Sequence, residues 1–391
     1  MPIINRIADF HADMTAWRRD IHAHPETAFE EHRTSETVAG KLEEFGIEVH
    51  RGLAGTGVVG TLRGAHPGSG RIALRADMDA LHIHEKNGFA HASKHEGRMH
   101  ACGHDGHTTM LLGAARYLAE TRNFAGTVHF VFQPAEENEG GGRAMVEQGL
   151  FEQFPADAVF GMHNWPGLPA GQFAVRPGPM MASFDIFEIT VTGRGAHAAM
   201  PHTGIDPVVA AAQVVTALQT IASRNVHPLE SAVVSVTQIH GGDTWNVIPN
   251  VVVLRGTVRT FKPDVQDAIE PAMRRIAENV CAALGASAAM RYERRYPATI
   301  NSDAETETAA GVLADLVGEA NVRRDQLPSM GSEDFAFMLQ AKPGTYVWIG
   351  NGPADGNAML HNPKYDFNDE ILPLGASYWA SLVEHVLGKT G

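Results

Sequence analysis

At 391 residues, with 44% hydrophobic and 19% charged side chains, the chain is too long for one ordinary hydrophobic core, and two globular domains are expected. A formal net charge of −14, with no lysine- or arginine-rich block to offset it, argues against nucleic acid and anionic membrane surfaces as partners. No run approaches the ~20 apolar residues that span a bilayer, the N-terminus lacks the basic head and apolar run of a secretion signal, and the two distant cysteines, Cys102 and Cys281, imply no disulfide framework, so a cytoplasmic location is expected.

Residues 5–46 read as helical in two pieces broken at His24-Pro25, the second closing on Gly46. Short β-rich runs follow at 57–62 ("GVVGTL") and 71–79 ("RIALRADMD"), then a loop and the apolar helix "TTMLLGAARYLAE". A strand at 126–133 ("GTVHFVFQ"), a helix near 142–152 and a strand at 157–164 ("DAVFGMHN") continue the alternation, which predicts an α/β layer with a mainly parallel central sheet. From 183 to 294 the order changes to β-α-β-β-α-β, the ferredoxin-like split arrangement of a small two-layer α+β domain, and this segment reads as an insertion. Residues 1–182 and 295–391 are then expected to form one discontinuous domain, with "GTYVWIGN" completing its sheet.

The 21 histidines are compositionally unusual, and three of them crowd with Cys102 and Asp105 into "MHACGHDGHTTM", starting at Met99. Metals and protons are the commonest functional partners of clustered histidines. In α/β sheets, reactive groups collect in loops beyond the C-terminal ends of strands. Four such loops hold Asp77 and Asp79; Cys102, His104, Asp105 and His107; Glu136 and Glu137; and His163.

Cys102 and His104 sit two apart in a glycine-containing loop, with thiolate and imidazole suited to zinc and its first-row neighbours, although a helix N-terminal turn with incidental histidines has the same spacing. His100 and His107 are better read as supporting residues. The adjacent Glu136 and Glu137 repel each other unless something positive lies near them. If one binds a metal, its neighbour can take a proton from water whose pKa the cation has lowered toward ~7, a division of labour that means metal-assisted hydrolysis; solvated loop acids are the plainer alternative. His163 and His361 are each ambiguous alone, but Cys, His, Glu and His at successive strand ends form a set that chance seldom supplies. Asp79 suits either a turn cap or the orientation of a liganding imidazole. In Gly331–Phe335, "GSEDF", the acidic pair reads first as the cap of the helix that follows, with a side role lining a pocket.

Taken in order, "RRDIHAHPETAFEE", "RADMDAL", "MHACGHDGHT", "QPAEE", "GMHNWP", "GAHAAMPH", "GSEDFAF" and "LHNP" resemble the M20 peptidase family, in its branch of hippurate, N-acyl-amino-acid and indole-acetyl-amino-acid hydrolases. The resemblance covers nearly the whole chain and implies a catalytic domain with two divalent metal ions (manganese, zinc, cobalt or nickel) and an inserted dimerisation, or lid, domain through which a homodimer forms. Carried over by motif, it implies Cys102, His104, Glu137, His163 and His361 as metal ligands, Glu136 as general acid/base and Asp79 as the supporting aspartate. His104 falls where related peptidases place a metal-bridging aspartate. In the lid, His197 resembles a histidine that in similar enzymes reaches the active site of the partner subunit to polarise the scissile carbonyl, and Asn246 and Arg259 resemble residues that hold the substrate carboxylate. One departure is His82, which stands where the family commonly has proline.

The implied activity is hydrolysis of the amide joining an acyl group to an amino acid. A dipeptidase or aminopeptidase of the same family is the nearest alternative. A thiol enzyme using Cys102 and a non-catalytic metal-binding protein on the same scaffold are the rivals of different class.

Overall fold

The computed structural model describes residues 3–137, 139–354 and 359–388. By internal packing the chain divides into two units: Met1–Met180, Ile300–Leu327 and Asp334–Gly391 form the first, and Met181–Thr299 with Pro328–Glu333 the second.

The first unit is built on an eight-stranded sheet in the order Glu48–Leu53, Gly57–Arg63, Ala125–Gln133, His66–Asp77, Ala158–Pro166, Gly344–Gly352, Phe173–Ala174 and Val322–Arg323. Its four central strands, Ala125–Gln133 through Gly344–Gly352, run parallel. Parallel strands covered on both faces read as near-continuous apolar runs, and Val128, Phe130, Val131 and Phe132 are accordingly all fully buried. The strands Glu48–Leu53 and Gly57–Arg63 add an antiparallel edge, so the sheet is mainly rather than wholly parallel.

The helices His11–Ala23, His104–Thr121 and Leu372–Val386 pack on one another in this unit. Helix His104–Thr121 is buried along nearly its whole length, which places its polar first turn inside the protein rather than at the surface. The helix His32–Glu44 ends as its sequence implies, with Gly46 at φ 74° and the Ile47 N–H returning to the Leu42 carbonyl at 3.0 Å. The single helix expected near 142–152 is instead two short ones, Gly141–Glu147 and Leu150–Gln153, because Gly149 between them takes φ 87° and interrupts the helical path.

The second unit is a four-stranded antiparallel sheet in the order Ala232–His240, Val251–Thr260, Phe184–Thr192, Ser287–Tyr296, with helices Pro207–Thr220 and Pro263–Ala283. In chain order this is β-α-β-β-α-β. Asp206 opens the first helix by accepting the Val208 N–H at 2.8 Å, with Pro207 at the position where a missing N–H costs nothing. Phe187, Ile189, Val214, Leu218, Leu254, Ile269 and Met273 form the core between sheet and helices. Among the described residues no helix is long and apolar enough to cross a membrane.

Candidate metal centre

The parallel strands of the first unit deliver their C-terminal loops to one place. Asp77 ends the strand His66–Asp77 and Asp79 follows it; Glu136 and Glu137 follow Ala125–Gln133; His163 lies near the end of Ala158–Pro166; His361 follows Gly344–Gly352. Cys102 and His104 enter from the turn that opens helix His104–Thr121. Gly103 between them takes φ 94°, and a β-carbon there would meet Asn164 Nδ2 at 2.2 Å and Tyr365 Oη at 2.6 Å, so only glycine fits.

Donor atoms of these side chains fall into overlapping groups within 4.8 Å: Cys102, His104 and His163; Cys102, Glu137 and His361; His104, Glu136 and Glu137. Cys102 belongs to the first two groups, so its Sγ lies between them. It is 3.4 Å from His163 Nε2. The other nitrogen of that ring, Nδ1, donates to the Asn164 carbonyl at 2.6 Å, leaving the Nε2 lone pair directed at the site. His361 Nε2 lies 3.1 Å from Glu137 Oε1, and this contact is the main influence raising the histidine's pKa. His361 itself adopts φ 63°, its N–H bonded to the Ala101 carbonyl at 2.7 Å.

His104 shows the electrostatic character of the site most directly. Burial opposes its charge, yet Asp77, Asp79 and Glu137 together push its pKa up to about 10. Its Nδ1 faces Asp79 Oδ1 at 3.2 Å, while Nε2 is buried with no hydrogen-bond partner. A buried polar atom is rarely left unmatched; here it points among carboxylates that demand positive charge. The Cys102 thiol is pushed well above its usual pKa by burial and by Glu137, Glu136 and Asp77.

The nearby cation, Arg75, is occupied elsewhere. It reaches Asp77 at 2.8 Å, Asp334 at 3.0 Å and Gln133 at 2.8 Å. Sequence reasoning missed Arg75 and Asn164, although a charged residue inside the apolar run "RIALRAD" was a signal. Asp334 also corrects the expectation for "GSEDF". It does not cap the helix Ala336–Ala341 that follows, whose start has no side-chain cap; its Oδ2 accepts the Gly142 N–H at 2.7 Å, at the head of helix Gly141–Glu147. Gly142 lies in the first turn of its helix, where N–H groups lack intrahelical acceptors, and Arg75 and Gln133 hold the carboxylate there.

His107 is held between Asp77 and Asn164: Asp77 Oδ1 lies 2.7 Å from its Nδ1 and the Asn164 N–H donates to its Nε2 at 2.9 Å. Because a backbone N–H can only donate, the proton of this ring belongs on Nδ1. His100 is fully buried, and burial drives its pKa down to about 3. His82 is exposed.

His197, Asn246 and Arg259 belong to the second unit. His197 pairs with Val247 in a two-stranded ribbon, and the Ala198 N–H donates to the Asn246 carbonyl at 2.9 Å, so both lie on one exposed ribbon. The Ala199 N–H donates to His197 Nδ1 at 3.1 Å. Arg259 lies over the Phe184 ring at 4.0 Å and donates to Ser332 Oγ at 2.8 Å.

A parallel α/β unit whose strand ends gather thiol, imidazole and carboxylate donors in one place defines the class of metal-dependent hydrolases. The comparisons are more specific: the chain matches peptidase family M20/M25/M40 over residues 73–385 and belongs to that family. It is 41% identical over 380 residues to N-acetylcysteine deacetylase of Bacillus subtilis (strain 168), covering 97% of this chain and 98% of the relative. It is likewise 41% identical over 382 residues to hippurate hydrolase of Campylobacter jejuni, covering 98% of each. Among solved structures it is similar to Bacillus subtilis YXEP protein, described as a dinuclear metal binding peptidase from the M20 family, with a TM-score of 0.84, 38% identity and 98% and 99% of the two chains covered.

Proposed function

We propose that this protein is a metal-dependent amidohydrolase that cleaves the amide bond of N-acyl amino acids to a carboxylic acid and a free amino acid. The observation that carries the reading is the convergence of Cys102, His104, His163, Glu137 and His361 in overlapping donor groups, with Glu136 beside them. Relatives at 41% identity named for hippurate and N-acetylcysteine support the substrate class.

The residues fit two divalent cations. His104 Nε2 is buried with no hydrogen-bond partner, 3.7 Å from Asp77 Oδ2, and Cys102 is common to two donor groups. Cys102, His104, Glu137, His163 and His361 would hold the ions, with manganese, zinc, cobalt and nickel all compatible with mixed sulfur, nitrogen and oxygen donors. When bound, the ions supply Lewis acidity, lowering the pKa of water and polarising a carbonyl.

Glu136 does the proton work. It takes the proton of the attacking water and returns it to the departing amine. Its Oε1 accepts the Asp334 N–H at 3.4 Å, which gives the carboxylate a fixed anchor. His197 supports the oxyanion, and Arg259, with Asn246, takes the carboxylate of the amino-acid half, preferably in two-pronged fashion. A homodimer formed through the inserted unit belongs to the same proposal.

The thiol alternative is disfavoured because burial and neighbouring carboxylates raise the Cys102 pKa, opposite to what an activated nucleophile needs. The test is turnover of the metal-reconstituted protein on hippurate, N-acetyl amino acids and free dipeptides, with and without chelator. Activity on the N-acyl acids that chelation abolishes supports the proposal; activity that survives chelation, or is confined to dipeptides, refutes it. Equal cleavage of carboxamide analogues would remove the role of Arg259.

A further inference from the structure

The longest motif of the sequence, Arg18–Glu31, has no part in the proposed chemistry, yet its side chains brace the loops that carry it. Arg18 binds Asp366 at 2.8 Å and Asp369 at 2.6 Å, His22 meets Asp105 at 2.8 Å, and Glu26 accepts the Arg33 and Thr34 N–H groups at 2.9 and 2.8 Å. Glu31 is the most unusual member. It is fully buried and, among the described residues, forms no ion pair, and burial together with repulsion from Asp79 pushes its pKa up to about 7. Burying a carboxylate without a cation is costly, so its three hydrogen bonds have something to explain.

Oε2 accepts the Thr56 hydroxyl at 2.6 Å, and Oε1 accepts the Phe29 N–H at 3.0 Å and the Ala135 N–H at 2.9 Å. Ala135 takes φ 52°, a left-handed conformation that residues with a β-carbon rarely adopt, immediately before Glu136 and Glu137. Its carbonyl in turn closes the loop by accepting the Gly141 N–H at 2.9 Å. The left-handed bend at Ala135 in the glutamate-bearing loop is thus tied to a carboxylate 104 residues away in sequence.

We infer that Glu31 is a positioning residue: by accepting the Ala135 N–H it holds the left-handed bend at Ala135 and so aims the Glu136 and Glu137 side chains into the site. The inference rests on the reading of Glu136 as the proton carrier. Reach, not charge, is what this role requires. Glu31→Gln keeps it, since the amide oxygen accepts both N–H groups and the amide nitrogen donates to the Thr56 hydroxyl. Glu31→Asp keeps the charge and withdraws the carboxylate by one methylene.

The experiment measures kcat and KM, metal content, and amide hydrogen exchange at Ala135 in the metal-free protein. Glu31→Gln is expected to keep kcat within about twofold, whereas Glu31→Asp lowers kcat roughly tenfold or more with KM and metal content nearly unchanged and speeds Ala135 exchange. Adding Ala135→Gly to Glu31→Asp restores most of kcat, because glycine takes positive φ without restraint. Equal impairment by Gln and Asp, an unimpaired Asp variant, or no recovery when Ala135→Gly is added would each overturn the inference. Should the Asp variant fail to accumulate, Ala135→Val in the otherwise unchanged chain decides: a β-branched residue resists positive φ and should lower kcat at constant KM, and an unchanged kcat overturns the inference. Full turnover in Glu136→Gln would instead sink the proton-carrier reading, and the exchange result would still report on Glu31.

Discussion

Asp79 joins two of the loops at the centre: Oδ1 lies 3.2 Å from His104 Nδ1, and Oδ2 accepts the Glu137 N–H at 2.9 Å. The carboxylate thereby sets the imidazole's orientation and directs its Nε2 lone pair into the site once the ring is neutral. In Asp79→Asn the amide oxygen can still serve Glu137, but the amide N–H then faces Nδ1. That forces the ring proton onto Nε2, where it blocks a cation. Metal affinity is expected to fall roughly ten- to a hundredfold, measured by calorimetric titration of the metal-free variant.

Glu136→Gln should remove turnover by several orders of magnitude while metal content stays at the wild-type level. Gln cannot carry a proton, but it leaves Glu137 and the other donors in place. Metal analysis beside single-turnover kinetics checks this; loss of metal with activity would mean that the roles of the two glutamates are exchanged.

The pH dependence of stability should report on His22. Burial opposes its charge, but hydrogen bonds to Asp105 and Glu85 win and raise its pKa to about 9 from 6.5. A raised pKa means that the folded protein holds a proton which the unfolded chain releases. The stabilisation is therefore complete below pH 6.5 and lost as pH rises through about 9. It amounts to on the order of 3 kcal/mol. Urea unfolding between pH 6 and pH 10 should show this decline in the wild type, and His22→Phe should be less stable at neutral pH and flatter across the window.

Gly103→Ala tests the turn between Cys102 and His104. The added β-carbon meets Asn164 and Tyr365, which hydrogen-bond each other at 2.7 Å, in a backbone conformation that alanine resists. A destabilisation of about 2 kcal/mol or more is expected, together with loss of metal binding, read from thermal unfolding with and without added metal. Gly388→Ala, also at positive φ but with open space around it, is the control that separates backbone strain from the clash.

Much of the fold was legible because its signals are local. Apolar runs bounded by turns marked the parallel strands, and Gly46 marked a helix end. The break at Gly149 escaped because a positive φ chosen by packing leaves no periodic trace. In the site, crowding of donor types within short motifs pointed to Cys102, His104, Glu136 and Glu137. Asp79, which faces His104 Nδ1, was legible too, but partners that meet only across long stretches of chain escaped. Arg75 and Asp334 are 259 residues apart, and Glu31 and Ala135 are 104 apart.

By itself, the amino-acid sequence determined which chemical groups this protein owns and which segments become strand or helix, since periodicity, glycine and proline act over a few residues. Only the tertiary structure decided which imidazole nitrogen faces the site, that Cys102 lies between two donor groups, and that Asp334 serves another helix. Those outcomes follow from distances and burial between segments remote along the chain, where hydrogen bonds must be satisfied and charges balanced only after the backbone has closed around them.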